Sequence, residues 1–228
     1  MNKVELSKLK TEKFEESMNH IKLLLEEEDK SRDITLTKQR RLIRICSEAI
    51  KSVHRQEFKI ADEKIKEAKK LFKEMSKRVE GTKSLECWRG LDDAAQELGE
   101  AIMINSIIRY DEIPSVEECE ISFTSYMLAA SDTIGELRRY LLDSLRRRDM
   151  ENAQRAFNYM DFLFSELITV DYTKMLVGPL RTKLDSARNL VNRTRTDLIT
   201  AFQAFELNDA MIKLSIKLDE YKKLSKTK

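Results

Sequence analysis

Four acidic residues in the middle third of the chain have the types and spacing needed to bind a metal ion. Glu97 and Glu100 are three residues apart, and Asp132 and Glu136 are four residues apart. On helices these spacings place both members of a pair on one face. Their neighbours are mostly small or apolar, so the paired charges lose hydration and repel each other unless a cation compensates them. Ligand sets made only of oxygen suit Mg²⁺ or Mn²⁺ better than iron or zinc.

A simpler interpretation of the same acids is that they form solvated pairs on exposed helix faces, as many helical proteins do. Other kinds of catalytic site have less support. The glycines never cluster into a phosphate-binding loop. His20 and His54 lie far in sequence from any Ser or Cys motif, which argues against a triad, and both are expected to be surface or boundary residues. A ferritin-like di-iron site would need Glu-x-x-His motifs, which this chain lacks.

The composition predicts an all-helical protein. The 228 residues include five glycines, two prolines and 36% charged residues, without strand-like alternation. Because the net charge is only +2, any affinity for nucleic acid must come from local patches. Three widely spaced cysteines argue against disulfides and structural zinc and fit a reducing compartment. With neither a signal-peptide pattern nor an apolar run of membrane-spanning length, we expect a cytoplasmic protein with no membrane partner.

The helix pattern predicts one domain over residues 1–228, a bundle of about seven long helices. The predicted helices cover about residues 4–53, 57–79, 83–109, 115–148, 149–168, 179–205 and an extra C-terminal segment, 206–228, whose helix opens at Asn208 or Asp209. The first helix carries an apolar stripe made of Phe14, Met18, Ile21 and Leu25. Residues 31–37 are poor helix formers, so a break there is an alternative to one continuous helix.

Signals at four places in the chain are expected to mark helix ends. Gly81 is predicted as a left-handed cap, and Ser115 with Glu118 as a capping box. Asp149 is predicted as an N-cap and Pro179 as a first-turn proline. Together these signals place both acidic pairs on helices.

Three motifs in this order resemble the translin superfamily, and in particular its branch of translin-associated factor X (TRAX). They are SRDIT at residues 31–35 followed by Arg40, QELGEA at 96–101, and A-x-D-x-x-G-E-L-x-R at 130–139. The resemblance extends from about residue 26 to about residue 200 and is to a compact archaeal or bacterial homologue. It implies an all-helical protein that assembles into a closed hollow shell of about eight subunits that encloses RNA, and this chain must build the whole shell itself if no translin partner exists.

The resemblance also implies an activity, that of a Mg²⁺-dependent endoribonuclease, with Mn²⁺ as another usable ion. The family's catalytic metal ligands fall on Glu97, Glu100, Asp132 and, as a weaker match, Glu136. Through a water molecule, Glu136 could instead serve as the general base. Two alternatives stay open. One is a non-catalytic shell of the translin type that binds single-stranded RNA or DNA. The other is a helical scaffold, which would need heptads that are not seen beyond the first segment.

Basic residues supply the predicted contacts to RNA, which is expected to be single-stranded or a short duplex held through its phosphates. The residues proposed for this role are Arg32, Lys38, Arg40, Arg41, Arg44 and Arg139. A second basic series contains Arg181, Lys183, Arg188, Arg193 and Arg195. Each of these could equally belong to a solvated helical face. Trp88 could stack on a base, although a lone tryptophan at helical spacing is more typical of a core.

Overall fold

A computed structural model describes residues 11–80, 85–173 and 177–225, and it confirms the all-helical fold. Within these residues there are seven helices and no strand. They are α1 Glu12–His54, α2 Phe58–Val79, α3 Leu85–Tyr110, α4 Val116–Cys119, α5 Phe123–Arg146, α6 Met150–Leu167 and α7 Leu180–Ser225. None of the described helices is both long enough and apolar enough to cross a membrane.

Four of the long helices, α1, α3, α5 and α7, run in the same direction. In each pair of neighbouring helices, residues with higher numbers on one helix lie near residues with higher numbers on the other, as expected for parallel helices. The residue pairs are Gln39 with Asp93 and Cys46 with Glu97 (α1 and α3), Asp92 with Ser125 and Met103 with Thr133 (α3 and α5), and Asp132 with Lys183 and Arg138 with Asp197 (α5 and α7). The helices α2 and α6 run in the opposite direction between them. As a result, the N-terminal part of α1 and the C-terminal part of α7 leave the bundle at opposite ends.

The core lies where these helices overlap. On α1, Leu42, Ile45, Ala49 and Val53 are buried, whereas Phe14, at the free end of the same helix, is 69% exposed. We call the projecting segment at residues 12–31 the α1 arm and the projecting segment at residues 206–225 the α7 arm. The bundle therefore buries only the C-terminal half of α1 and the N-terminal half of α7.

The structure settles several predicted helix ends. The helix α1 is continuous through residues 31–37, so the alternative of a break there is wrong. The capping box at Ser115 is present, because its hydroxyl accepts the Glu118 N–H and the Glu118 carboxylate accepts the Ser115 N–H. The N-cap predicted at Asp149 is also present, because its carboxylate accepts the Asn152 N–H. The cap predicted at Gly81 lies outside the described residues.

The prediction of one helix over 115–148 is wrong, because α4 ends after a single turn. Glu120 takes a left-handed conformation with φ 56°, and Ser122 then caps α5 by accepting the Ser125 N–H. The second acidic pair, Asp132 and Glu136, therefore lies on α5, a separate helix whose N-terminus is capped by Ser122.

The predicted break near Asn208 or Asp209 is also wrong, since both residues lie inside α7. No Gly or Pro occurs between residues 180 and 225, and Asn or Asp disfavours a helix by only about 0.7 kcal/mol per residue. Pro179 lies one residue before the helix, where its carbonyl accepts the Lys183 N–H. The C-terminal segment therefore extends α7 instead of forming a separate helix.

Candidate functional site

The first three acids predicted as metal ligands line one cleft of about 500 Å³. Glu97 and Glu100 reach it from α3, and Asp132 reaches it from α5. On the third side α7 contributes polar side chains, among them Thr182, Lys183 and Ser186. The sequence prediction that the two acidic motifs meet is thus supported for three of its four residues.

A close approach of α3 and α5 brings the two motifs together. A Cβ atom added to Gly99 would lie 2.7 Å from Ile121 Cδ1 and 2.8 Å from Ala129 Cβ. Because Ala129 has no flexible side chain to move, only glycine fits at this crossing. Glu97 and Glu100 flank Gly99 on α3, so the crossing sets their distance from Asp132.

The carboxylate of Asp132 is held through both of its oxygens. Gln96 Nε2 donates to Oδ2 and Lys183 Nζ donates to Oδ1, each over 2.5 Å. These donors come from α3 and α7, so three helices fix the position of this one side chain. Lys183 also supplies the positive charge nearest to the acids.

The two glutamates on α3 are less well compensated. Burial first, and then the charges of Asp132, Glu97 and Glu136, raise the pKa of Glu100 to about 8. Burial and the Asp132 charge also raise the pKa of Glu97, with Lys183 acting in the opposite direction. The cleft therefore carries more negative charge than its surroundings neutralise, which is the situation that a bound cation relieves.

Glu136 has a different environment from the other three acids. His54 Nε2 lies 2.6 Å from Glu136 Oε2, and Arg139 Nη1 lies 3.6 Å from the same oxygen. The hydrogen bond with His54 is the main cause of the lowered pKa of Glu136. His54 is half-buried as a residue and its side chain is only 5% exposed, so it lies at the boundary of the core, while His20 is exposed; both agree with the prediction of surface or boundary residues.

The donor set of the cleft suits a hard divalent cation, because the groups converging on it are carboxylates. Lys183 Nζ stands in for such a cation by occupying one oxygen of Asp132. As the side chains stand, the described residues include no group of three or more His, Cys, Asp or Glu that could hold a metal ion. Coordination by these acids therefore requires their side chains to move closer together, with Lys183 leaving Asp132 Oδ1.

A thiol borders the same acids from the α1 side. Burial and the charges of Glu97 and Glu100 raise the pKa of Cys46 to about 12. A thiol with so high a pKa carries almost no thiolate at neutral pH and is not a nucleophile. Catalysis through a covalent intermediate on Cys46 is thus not supported.

None of the six predicted RNA-binding residues lines the cleft. Two of them pair with acids of α2, since Lys38 lies 3.1 Å from Glu74 and Arg41 lies 3.0 Å from Glu67. Such exposed pairs contribute little stability and can be exchanged for contacts with phosphate.

The other four residues predicted to contact RNA lie on α1 and α5. Arg32 lies 3.6 Å from Asp29, and Arg44 lies 4.0 Å from Glu48. Arg40 is exposed on α1, on the face roughly opposite Leu42. Within this set, Arg139 beside Glu136 is the residue in direct contact with the acidic motifs.

The second basic series also contains residues at the cleft and residues away from it. Lys183 lines the cleft, whereas Arg195 pairs with Asp161 over 2.7 Å and stacks over the Phe157 ring. Trp88 is 40% exposed, so its prediction as a core residue is wrong.

Sequence reasoning gave no site role to His54 or Gln96 and treated Lys183 only as one of several RNA contacts. His54 is 82 residues from its partner Glu136, and Lys183 is 51 residues from Asp132. No local pattern carries information about contacts at such separations. For Gln96 the sequence did offer an indication of a role at the site, because this residue directly precedes Glu97 within the QELGEA motif.

Comparisons with known proteins found one similar sequence and several similar solved structures. No protein-family model matches the chain. It is 28% identical over 210 residues to an uncharacterized protein of Methanocaldococcus jannaschii, over 90% of this chain and 91% of that protein. The structure of AfC3PO in complex with duplex RNA has a TM-score of 0.76 and 28% identity, over 82% of this chain and 97% of that chain.

A second solved structure has the same fold at lower identity. The crystal structure of apo-NeC3PO has a TM-score of 0.73 and 22% identity, over 81% of this chain and 96% of that chain. Nearly the whole of each C3PO chain is matched, whereas about a fifth of this chain extends beyond the match. The similarity to these C3PO proteins supports the assignment of this chain to the translin superfamily, which its motifs resemble.

Proposed function

We propose that this protein binds RNA and hydrolyses it with Mg²⁺ or Mn²⁺ at the cleft between α3, α5 and α7. The observation that carries this proposal is the convergence of Glu97, Glu100 and Asp132 on one cleft, where Lys183 is the one cation among the described lining residues. In this proposal the chain is a TRAX-type subunit and forms a homo-oligomeric shell of about eight copies.

Each residue of the cleft has a role in this proposal. Glu97, Glu100 and Asp132 would hold the cation, and Gln96 would keep Asp132 oriented through its hydrogen bond. A bound divalent cation supplies activation of the attacking water and neutralisation of charge on the phosphate. Lys183, released from Asp132, can donate to a phosphate oxygen of RNA that enters the cleft.

Glu136 is better suited to a positioning role than to general base catalysis. A general base works best when its pKa is near the working pH, whereas the contact with His54 lowers the pKa of Glu136. The same contact links the end of α1 to the second acidic motif on α5. We therefore propose that the Glu136–His54 pair holds α5 in register with α1.

RNA binding is supported by AfC3PO, whose solved complex contains duplex RNA. In this chain Lys183 and Arg139 are the cations next to the acidic motifs, at 2.5 Å from Asp132 and 3.6 Å from Glu136. Arg40 and Arg44 are exposed on α1 and can add contacts with the RNA backbone. Single-stranded RNA and short duplexes are both proposed ligands.

A non-catalytic RNA-binding shell is the second candidate function. It is favoured by the direct contact of Lys183 with Asp132, which neutralises one carboxylate without a metal ion. In that case the acids would serve to hold α3, α5 and α7 together. Binding of RNA would then be unaffected by chelation of divalent ions.

Labelled RNA separates the two functions. Single-stranded and duplex oligonucleotides should be cut in Mg²⁺ or Mn²⁺, remain intact in EDTA and remain bound in both conditions. A Glu63→Gln variant, changed at an exposed carboxylate on α2, serves as the matched control and should cut at the wild-type rate. Binding without cleavage in every metal would support the non-catalytic shell, and absence of binding at low salt would contradict both candidates.

A further inference from the structure

The side chain of Lys183 pairs with a single carboxylate among the described residues. Lys183 Nζ lies 2.5 Å from Asp132 Oδ1, and the two side chains are 27% and 26% exposed. The groups that line the cleft beside it on α7, the hydroxyls of Thr182 and Ser186, carry no charge. In the described part of the chain, one carboxylate oxygen therefore provides the only ion pair of this lysine.

The two oxygens of Asp132 accept hydrogen bonds from donors of different charge. Gln96 Nε2, a neutral amide, donates to Oδ2, whereas Lys183 Nζ, an ammonium group, donates to Oδ1. A divalent cation on Oδ1 would be repelled by the ammonium group, because like charges at such short distances repel strongly, whereas the amide carries no net charge. Lys183 and a divalent cation are therefore alternative partners of Oδ1, and Gln96 is compatible with either.

Lys183 can leave Asp132 without a change in the backbone. Its N–H is bonded to the carbonyl of Pro179 at the start of α7, while its ammonium group lies at the end of a flexible stem. The cleft beside this group has a volume of about 500 Å³. A phosphate group in the cleft offers the ammonium group a second anionic partner through charge-assisted hydrogen bonds. Binding of a phosphate group thus frees Oδ1 for a cation.

We propose that Lys183 couples the binding of RNA to the binding of the divalent cation. Without RNA the ammonium group competes with the cation for Asp132 Oδ1, and with RNA it moves to a phosphate oxygen. This inference rests on the proposed function of the cleft and concerns the regulation of that site. Because such coupling is reciprocal, RNA raises the affinity for the cation by the same factor as the cation raises the affinity for RNA. The cleft then takes up its cation mainly when RNA is bound.

Binding of Mn²⁺ to the full-length chain tests the coupling without a measurement of cleavage. Free Mn²⁺ is measured by electron paramagnetic resonance, with and without a short phosphorothioate RNA that resists hydrolysis. Lys183→Met removes the ammonium group, Lys183→Gln is a second neutral variant in case the first does not fold, and Lys183→Arg keeps the charge.

Two further variants serve as controls. Lys64→Met breaks a comparable ion pair outside the cleft, in which Lys64 Nζ lies 2.7 Å from Glu48 and the lysine side chain is 32% exposed. The Glu97→Gln/Asp132→Asn double variant measures the Mn²⁺ that RNA and the rest of the protein bind, and this amount is subtracted.

Without RNA, the neutral variants of Lys183 should bind Mn²⁺ about tenfold more tightly than the wild type, because a hydrogen bond to a charged group no longer competes with the cation. Lys64→Met and Lys183→Arg should bind Mn²⁺ with nearly the wild-type affinity. At saturating RNA the difference between the wild type and the neutral variants should largely disappear, since the ammonium group has then left Asp132.

Two results would overturn the coupling and leave the proposed metal site intact. One is equal Mn²⁺ affinity of the wild type and the neutral variants without RNA. The other is a difference that RNA does not reduce, which would show a fixed repulsion in place of competition. Mn²⁺ binding by the wild type and the neutral variants that does not exceed the binding by the double variant would contradict the proposed metal site and the coupling together.

Discussion

Replacing Glu100 by glutamine should stabilise the metal-free protein. The substitution keeps the size of the side chain, and so it leaves no cavity beside α5. It removes a carboxyl group whose pKa is raised to about 8 by burial and by the charges of Asp132, Glu97 and Glu136. The neutral amide takes the place of a carboxyl group that is mostly protonated at neutral pH in the metal-free folded protein.

The size and sign of the effect follow from that pKa. Glu100 has a pKa near 4.5 in the unfolded chain and near 8 in the folded protein, so the folded state binds more protons between these pH values. Stability from this group is therefore highest below about pH 4.5 and falls as the pH rises to about 8. At about 1.4 kcal/mol per pKa unit, the loss at pH 7 is roughly 3 kcal/mol.

Thermal unfolding in EDTA between pH 4.5 and pH 8 measures this effect. For a chain of this size, roughly 3 kcal/mol corresponds to an increase of about 6–12 °C in Tm at pH 7 for Glu100→Gln. The increase should be small near pH 4.5, where the wild-type carboxyl group is protonated in the folded state and about half protonated in the unfolded chain. Glu63→Gln, at an exposed position of α2, is the control and should leave Tm unchanged at every pH.

Addition of Mg²⁺ extends the same experiment. A cation that binds the folded state should raise the wild-type Tm, and it should raise the Tm of Glu100→Gln less, because one ligand has lost its charge. The reasoning would be refuted by a Glu100→Gln variant that is less stable than wild type at pH 7, or by a stability difference that does not change with pH.

Three further changes test other parts of the structure. Charge reversal at Arg32 and Arg40 together should weaken binding to all RNA sequences similarly and make the affinity less dependent on salt, as measured in titrations at several ionic strengths. His54→Ala removes the hydrogen bond to Glu136 and should cost about 1–3 kcal/mol in denaturant unfolding. Gly99→Val should cost at least about 1–3 kcal/mol because its side chain meets Ala129, whereas Gly135→Ala, with no atom within 4 Å, should stabilise α5 by about 0.5–1 kcal/mol.

Local signals in the sequence predicted much of the fold. The helical spacing of Glu97 and Glu100 placed them on one face, and the caps at Ser115 and Asp149 were read from single residues and their neighbours. These features depend on contacts within one or two turns, which a sequence pattern records. The meeting of the two acidic motifs followed from the resemblance to a family, since no spacing within either motif carries it.

The errors arose where distant contacts or weak local preferences decided the structure. Asn208 resembles an N-cap in sequence, but the helix continues through it because the cost of one Asn is small. The roles of His54 and Lys183 depend on helices brought together by the bundle, at 82 and 51 residues from their partners. The exposure of Trp88 likewise reflects which face of α3 is covered, which its spacing does not reveal.

Cleavage of labelled RNA by a Glu97→Gln/Asp132→Asn double variant tests the central claim most directly. Both substitutions keep shape while removing charge from the cleft, so the variant should fold, assemble and bind RNA like the wild type. Light scattering and RNA titration establish these properties before cleavage is measured in Mg²⁺. The proposed function predicts no cleavage by this variant, alongside cleavage by the wild type that EDTA abolishes. A folded double variant that cuts RNA at the wild-type rate would contradict the assignment of the cleft as the catalytic site.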